Sequence, residues 1–207
     1  MGRLKKYLHI SCAVNPAAAR EREMALTPAV TPKRVAVLGG GVAGCEAARV
    51  LALRGHRPEI FERTQRLGGN LHPASAPDFK EDERKLIAWY EKQISDRKVP
   101  VHFGTDLTAE TLPQGFDAYL VATGSRPVTL SLGDGVPVFT AAQILQNEVT
   151  SQGPYVVVGG GLVGCEGAIN LRNMGKQVCI VEMMDGLAKE VNEFHRMALE
   201  QQLQGIP

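Results

Sequence analysis

One segment of the sequence occurs twice, and this duplication constrains the fold more than any other feature. The segment from Val35 to Glu62 aligns without a gap with the segment from Tyr155 to Glu182, at a constant offset of 120 residues. Identical residues at matched positions include Val37/Val157, Gly39/Gly159, Gly40/Gly160, Gly41/Gly161, Gly44/Gly164, Cys45/Cys165, Glu46/Glu166, Ala48/Ala168, Leu51/Leu171, Gly55/Gly175 and Glu62/Glu182. Two copies at this separation indicate a duplicated domain rather than a solenoid.

Each copy has the pattern of a strand, a tight turn, a helix and a second strand. Short apolar runs flanked by glycine are typical of buried parallel strands, and Gly55 and Gly175 are placed to end the two helices. The pattern predicts strands at 35–38, 58–61, 155–158 and 177–181 and, in the first copy, a helix at 45–54. Such a unit of strand, crossover helix and parallel strand is right-handed. The fold class is therefore α/β, with two Rossmann-like units in tandem.

Between the copies, the sequence predicts a further helix and two short strands. Asp78 is placed to cap this helix, and Glu81 follows three residues later, as in a capping box. The apolar side of the helix is formed by Leu86, Ile87, Tyr90 and Ile94. The runs 99–103 and 119–122 predict the strands.

The glycines of each turn have the spacing G-x-G-x-x-G, directly after a strand and at the start of a helix, which is the context that a dinucleotide-binding turn requires. The first glycine permits the tight turn, the second lets the backbone approach a diphosphate, and the third lets the helix pack close to the strand. Free N–H groups at the positive end of the helix then bind the diphosphate. The predicted binding residues are Gly39, Gly41, Val42, Ala43 and Gly44 in the first copy and Gly159, Gly161, Leu162, Val163 and Gly164 in the second.

An acidic residue ends the second strand of each copy. Glu62 and Glu182 are placed where a carboxylate accepts hydrogen bonds from a ribose diol. The carboxylate of Glu182 suits an unmodified 2′-hydroxyl and repels a 2′-phosphate, so we predict NADH rather than NADPH in the second copy. Arg172 and Lys176 lie nearby in the sequence and would soften this preference.

A second pair of acidic residues, Glu46 and Glu166, follows the third glycine of each turn. The pattern places both in the first helical turn, where a carboxylate complements the helix dipole. For Glu46 we favour this dipole interpretation. For Glu166 a dipole role and contact with the ligand both stay open.

Further residues make the chain resemble the disulfide-reductase class of flavoproteins. Glu62 is followed by Leu67-Gly68-Gly69, similar to that class's loop beside the ribose and diphosphate of FAD. The run from Asp117 to Pro127 is similar to its strand and Ala-Thr-Gly turn at the domain junction. The resemblance implies FAD on the first copy, NAD(P)H on the second, and further cofactor contacts from Arg63, Leu67, Gly68, Gly69, Ala122, Thr123, Gly124 and Glu166. The C-x4-C pair of that class is missing after Gly69, so we do not predict a dithiol reductase.

A narrower resemblance is to the long NADH:flavin oxidoreductases, which include 2,4-dienoyl-CoA reductase, enoate reductases and trimethylamine dehydrogenase. It rests on the runs Gly68 to Asp82 and Ser11 to Ala17. In that family an FMN-binding TIM barrel and an iron–sulfur cluster held by four cysteines precede two nucleotide domains, and Cys12 falls where the fourth cysteine is. The resemblance implies that the chain is a fragment, with both nucleotide domains incomplete at the C-terminus. It also implies that Cys12 alone holds no cluster and that the catalytic residues for substrate reduction lie elsewhere.

The activity that this resemblance implies is an electron relay. NADH reduces FAD, and the electrons pass through the cluster to FMN, which reduces an activated alkene such as an enoate or a dienoyl-CoA. The parent is then an NAD(P)H-dependent flavoprotein oxidoreductase, with the FMN and iron–sulfur barrel as a domain or subunit partner. Two alternatives stay open: an electron-delivering subunit similar to the small subunit of glutamate synthase, and a nucleotide-binding module that holds ADP or FAD without redox activity of its own.

The domain organisation follows from the two copies. We expect an arm at 1–32, the first part of an FAD-binding domain at 33–127, a connection at 128–152 and the N-terminal part of an NAD(P)-binding domain at 153–207.

Composition excludes several other classes of function. A net charge of +1 and a pI near 7.7 give no basis for binding nucleic acid or a membrane surface. The apolar runs are shorter than the roughly 20 residues that a membrane span needs. The cysteines and histidines lack the spacing of a metal site, and free thiols fit a reducing compartment. We therefore expect a cytoplasmic protein without a metal.

Overall fold

The computed structural model describes residues 10–12, 15–146 and 152–207. They form two compact units. The first unit consists of the chain up to Leu71 together with Glu83–Ser125, and the second of His72–Asp82 together with Arg126–Pro207. The predicted arm at 1–32 and connection at 128–152 lie partly outside the described residues, and the predicted domain borders stay a prediction.

The described residues alternate between strands and helices, and the strands pair in parallel, which confirms the predicted α/β class. In chain order the elements are β1 (Arg34–Leu38), α1 (Val42–Leu53), β2 (Arg57–Phe61), α2 (Leu71–Ala74), α3 (Glu81–Asp96), β3 (Val101–His102), β4 (Ala118–Val121), α4 (Ala141–Leu145), β5 (Tyr155–Val158), α5 (Leu162–Asn173), β6 (Val178–Val181) and α6 (Glu193–Leu203).

The first unit is built around a four-stranded parallel sheet with the strand order β3-β2-β1-β4. Strand β1 lies inside this sheet and is covered on both faces. Val35 and Val37 belong to one core cluster, which includes residues of α1 and α3, whereas Ala36 and Leu38 belong to another on alternate positions of the strand. Because both faces are buried, the strand has a continuous apolar run rather than an alternating one.

The second unit repeats the strand, helix and parallel strand with β5, α5 and β6. The predicted buried strand β5 is covered on one face only, since Val156 and Val158 are 61% and 53% exposed. Tyr155 pairs with Val178 and Val158 with Val181. Its core brings together Cys165 and Ile169 of α5 with Leu199 and Leu203 of α6. The duplicated sequence therefore folds into duplicated local structure.

Helix α1 begins three residues earlier than predicted, at Val42 rather than Cys45. The reason is that Gly41 is itself the N-cap residue, and its carbonyl accepts the first helical hydrogen bond from Cys45 N–H at 2.9 Å. Glu46 is consequently the fifth residue of α1, and Glu166 the fifth of α5. The prediction that these two carboxylates lie in the first helical turn is wrong.

Helix α3 begins later than predicted. The N–H of Lys80 donates to the carbonyl of Pro77 at 2.9 Å, so residues 77–80 form a turn and the helix begins only at Glu81. Asp78 lies in this turn, before the first residue of the helix, and its capping of the helix stays a prediction. The predicted apolar side is confirmed, since Ile87, Tyr90 and Ile94 are buried.

Among the helices that the structure describes, none combines the length and the apolar character needed to cross a membrane.

Candidate functional site

The first glycine turn, between β1 and α1, uses each of its three motif glycines for a different steric reason. Gly39 has φ +107°, a conformation that side chains rarely adopt, and its N–H donates to Phe61 O at 2.8 Å. A Cβ added to Gly44 would lie only 1.8 Å from Gly39 O, so the helix packs directly on the turn. At Gly41 the nearest atom to an added Cβ is 4.0 Å away. The surroundings of Gly41 are therefore open enough for the backbone to face a ligand.

The second glycine turn, between β5 and α5, repeats the backbone conformation of the first and the close packing of its third glycine. Gly159 has φ +101°, and its N–H donates to Val181 O at 2.9 Å. A Cβ added to Gly164 would lie 1.9 Å from Gly159 O. Both turns thus place the N-terminal end of a helix, with its outward N–H groups, at the carboxyl end of a parallel strand. This is the arrangement that fits a diphosphate.

The acidic residue after each second strand ties down its own glycine turn. Glu62 accepts hydrogen bonds from Gly40 N–H at 2.6 Å and from Thr64 N–H at 2.8 Å. Glu182 repeats both bonds, from Gly160 N–H at 2.6 Å and from Met184 N–H at 2.8 Å. Sequence reasoning gave these carboxylates a contact with ribose and missed this second role.

The pKa of each carboxyl follows from these contacts. Burial disfavours the charged form of Glu62, which is only 5% exposed, but the N–H groups of Thr64 and Gly40 outweigh burial and lower its pKa. The N–H groups of Met184 and Gly160 likewise lower the pKa of Glu182. At neutral pH both carboxyl groups are therefore ionised and can accept hydrogen bonds but not donate them. This suits a hydroxyl donor such as a ribose diol.

A loop after each second strand closes against the glycine turn. In the first unit Leu67 is buried, and Gly68 N–H donates to Gly40 O at 2.8 Å. In the second unit Ala188 N–H donates to Gly160 O at 2.7 Å. The sequence signal for this loop in the second unit is Leu187, which matches Leu67 at the same offset as the rest of the repeat.

The cysteine after each third glycine has a structural role that the sequence did not reveal. Cys45 Sγ donates to Gly40 O and Cys165 Sγ donates to Gly160 O, both at 3.2 Å. Both thiols are buried, and burial raises the pKa of Cys45 to about 12. These thiols brace the turns and are not nucleophiles.

The two helical glutamates, although matched in sequence, have different partners. Glu46 pairs with Arg49 of the same helix at 2.7 Å. Glu166 pairs with Lys80, which reaches it from the turn at 77–80, at 2.6 Å. The side chains of Lys80 and Glu166 are 18% and 16% exposed, so this ion pair is largely shielded from water. The dipole interpretation of Glu46 gives way to an ion pair, and contact of Glu166 with a ligand stays a prediction.

The other predicted site residues fall into two groups. Ala122 and Thr123 lie against the first turn, because a Cβ added to Gly39 would lie 2.4 Å from Ala122 O and 3.3 Å from Thr123 Cα. The others are partly or well exposed to solvent. This second group comprises Val42, Ala43, Arg63, Gly69, Gly124, Leu162 and Val163.

These features define a class of protein: two parallel βαβ units, each with a glycine turn built to face a dinucleotide. Residues 37–88 match the family model of the NAD(P)-binding Rossmann-like domain, which confirms the Rossmann-like prediction. Residues 101–206, just over half of the chain, match that of pyridine nucleotide-disulphide oxidoreductase. The chain therefore belongs to the pyridine nucleotide-disulphide oxidoreductase family, and its site is of the kind that takes a flavin and a nicotinamide dinucleotide.

Similar proteins include several reductases. Cinnamate reductase of Clostridium sporogenes is 44% identical over 188 residues, which is 90% of this chain and 28% of that protein. Bilirubin reductase of Mediterraneibacter gnavus is 39% identical over 193 residues, 92% of this chain and 30% of that protein. A 2-naphthoyl-CoA reductase complex superposes with a TM-score of 0.84 at 28% identity, over 93% of this chain and 30% of that chain. The chain thus spans less than a third of the length of these relatives.

Proposed function

We propose that this chain is the nucleotide-binding part of an NADH-dependent flavoprotein oxidoreductase, with FAD on the first unit and NADH on the second. The observation that carries the proposal is the duplicated turn, in which a glycine that tolerates no Cβ docks each helix end on its strand. Electrons from NADH would leave through FAD to an FMN and iron–sulfur portion of a longer protein, which reduces an activated alkene. Reductase relatives that share nine-tenths of this chain support this direction.

The first unit would hold FAD through backbone groups and one carboxylate. The turn from Gly39 to Gly44 would face the diphosphate, with N–H groups of Val42 and Ala43 directed at its oxygens. Glu62 would accept from the ribose while it keeps the turn in place. Bound FAD would supply the conversion of a hydride transfer into single-electron transfers, and the turn together with Glu62 would bind and orient it.

The second unit would hold NADH in the same way, through the turn from Gly159 to Gly164 and through Glu182. Lys80 and Glu166 place a shielded ion pair in this unit. Such a pair is suited to orient a ligand at the turn, because each charged group fixes the position of the other and solvent screens them little.

A visible spectrum tests the proposal, with one variant for each unit. We expect the chain reconstituted with FAD to absorb near about 450 nm, as bound oxidised flavin does, and to bleach when NADH is added without oxygen. Gly41→Asp would place a carboxylate against the first diphosphate and abolish FAD binding. Gly161→Asp would leave FAD bound and abolish bleaching. Both positions have ordinary φ values that admit a side chain.

The opposite outcome is equally clear. A colourless protein that takes up no FAD, and that releases ADP when denatured, would support a nucleotide-binding module without redox activity. An identical effect of both variants on flavin content would contradict the assignment of different nucleotides to the two units.

We expect NADH to bind at least about tenfold more tightly than NADPH, because the carboxylate of Glu182 repels a 2′-phosphate. The cations that would soften this preference are engaged elsewhere. Arg172 donates to Gln204 O and Lys176 to Gln152 Oε1, both at 3.1 Å. Titration of each nucleotide, followed by its fluorescence, gives the two dissociation constants. The variant Glu182→Gln should narrow the difference, and tighter binding of NADPH to the unchanged protein would contradict the prediction.

A further inference from the structure

The loop after β6 places a carboxylate on the N-terminal end of α5. Oε1 of Glu190 accepts a hydrogen bond from the N–H of Leu162, the first residue of α5, at 2.5 Å. A Cβ added to Gly161 would lie 3.0 Å from the same oxygen. The carboxylate therefore lies in front of the second glycine turn, on the N–H group that a diphosphate would use.

The first unit has no acidic residue at the matching position. The constant offset of the repeat pairs Glu190 with Asn70. The loops themselves are held alike, since Gly68 N–H donates to Gly40 O and Ala188 N–H to Gly160 O. At Gly41, however, the nearest atom to an added Cβ is Gly69 Cα at 4.0 Å. The same scaffold thus leaves the first turn open and covers the second with a charged group.

A carboxylate and a diphosphate compete for such a position on physical grounds. The end of α5 offers partial positive charge and N–H donors, and either anion satisfies them. Leu162 has one N–H group, which cannot make a full hydrogen bond to both. In addition, two anions in contact repel each other, and Glu182 already places a second carboxylate beside the turn.

We propose that Glu190 is an intramolecular competitor of the dinucleotide at the second glycine turn, and that NADH must displace its carboxylate in order to bind. This inference rests on the proposed function of the second unit. Competition by Glu190 would account for the difference between the two turns. A flavin stays bound through many turnovers, whereas a nicotinamide nucleotide must dissociate after each one. A competing carboxylate within the protein lowers the affinity of the second turn for this nucleotide. Between turnovers the carboxylate satisfies the helix end that the nucleotide has left.

Three variants separate contact from charge. Glu190→Ala removes both the acceptor and the charge. Glu190→Asp keeps the charge but is one methylene shorter and falls short of Leu162 N–H. Glu200→Ala removes an exposed carboxylate from α6 of the same unit, where its partner is Arg196, and serves as the matched control. Both substituted residues are exposed, so the three variants should fold.

The dissociation constant of NADH is measured for each variant by fluorescence titration. We expect Glu190→Ala to bind NADH about 3- to 10-fold more tightly than the unchanged protein, the scale of one exposed charge at a helix end. Glu190→Asp should also bind more tightly, and Glu200→Ala should match the unchanged protein. In the ligand-free protein, the amide proton of Leu162 should move upfield in both Glu190 variants and stay in place in the control, as followed by NMR.

Each other result overturns the proposal in a distinguishable way. Equal affinity of Glu190→Ala and the unchanged protein would show that Glu190 does not compete, while the function of the second unit would stand. A gain in Glu190→Ala but none in Glu190→Asp would assign the effect to long-range charge rather than to contact. If no variant binds NADH, the proposed function of the second unit fails, and this inference fails with it.

Discussion

Replacing Gly164 by alanine is expected to lower the free energy of unfolding of the second unit by about 3 kcal/mol. The added Cβ would lie 1.9 Å from Gly159 O, 3.1 Å from Gly159 C and 3.4 Å from a methyl of Val157. The first of these atoms belongs to the backbone of the turn, so no side-chain rotation relieves the overlap. The helix must instead move away from the strand, and the outward N–H groups of the turn move with it.

Helix α5 contains its own control for this prediction. Gly167 lies three residues further along α5, is buried, and would place a Cβ with no atom within 4 Å outside the local helix backbone. Gly167→Ala should therefore stabilise the unit by about 0.5–1 kcal/mol, because glycine is a poor residue in a helix interior. Urea unfolding followed by circular dichroism, with hydrogen exchange of residues 162–173, measures both changes. Equal midpoints for the two variants would contradict the assignment of Gly164 to close packing.

Replacing Glu62 by glutamine is expected to lower the free energy of unfolding by about 2 kcal/mol at neutral pH. The amide cannot accept hydrogen bonds from the N–H groups of both Gly40 and Thr64, so one of these buried N–H groups is left without an acceptor. The cost should depend on pH. The pKa of Glu62 is lowered in the folded chain, so its contribution is present above the ordinary pKa of a glutamate and is lost as the pH falls through the lower, folded pKa. Acid should therefore destabilise the unchanged protein more than the variant.

The first unit carries a convenient reporter for this test. Trp89 on α3 is the single tryptophan of the sequence, so its fluorescence follows the unfolding of this unit. Urea titrations at pH 7 and at about pH 3.5 give the free energy of unfolding of each protein. The difference between the unchanged protein and Glu62→Gln should be smaller at the lower pH. Glu91→Gln changes an exposed carboxylate of the same helix as Trp89 and should stay within about 0.5 kcal/mol at both values. A difference for Glu62→Gln that is independent of pH would contradict the lowered pKa.

The parts of the fold that the sequence predicted are those set by local pattern. The strands, the glycine turns and the ends of α1 and α5 follow from apolar runs, from glycine spacing and from Gly55 and Gly175. Their sequence signals lie within a few residues of the structure they determine. The start of α3 was misplaced because a proline followed by an acidic residue fits the first turn of a helix as well as it fits a separate turn, and no local pattern shows the bond from Lys80 N–H to Pro77 O.

The parts of the site that the sequence did not predict depend on contacts between distant residues. Lys80 is 86 positions before Glu166 (166 − 80), and no pattern links the two. The contact of Glu190 with Leu162 spans 28 positions and was equally hidden. The hydrogen bonds that Glu62 and Glu182 accept from their own turns could have been suspected from the sequence, however. Both acids are identical across the repeat, and so are their partners Gly40 and Gly160.

The bond between Glu182 and Gly160 also limits how nucleotide preference can change. A residue that welcomes a 2′-phosphate must lack the carboxylate, but the carboxylate is also the acceptor that holds the turn. A switch of preference by one substitution would therefore loosen the helix end that we propose as the binding site of NADH. The preference can change without loosening the turn only after another acceptor reaches Gly160 N–H. An evolving lineage would therefore have to acquire this new hydrogen-bond acceptor before the new nucleotide specificity.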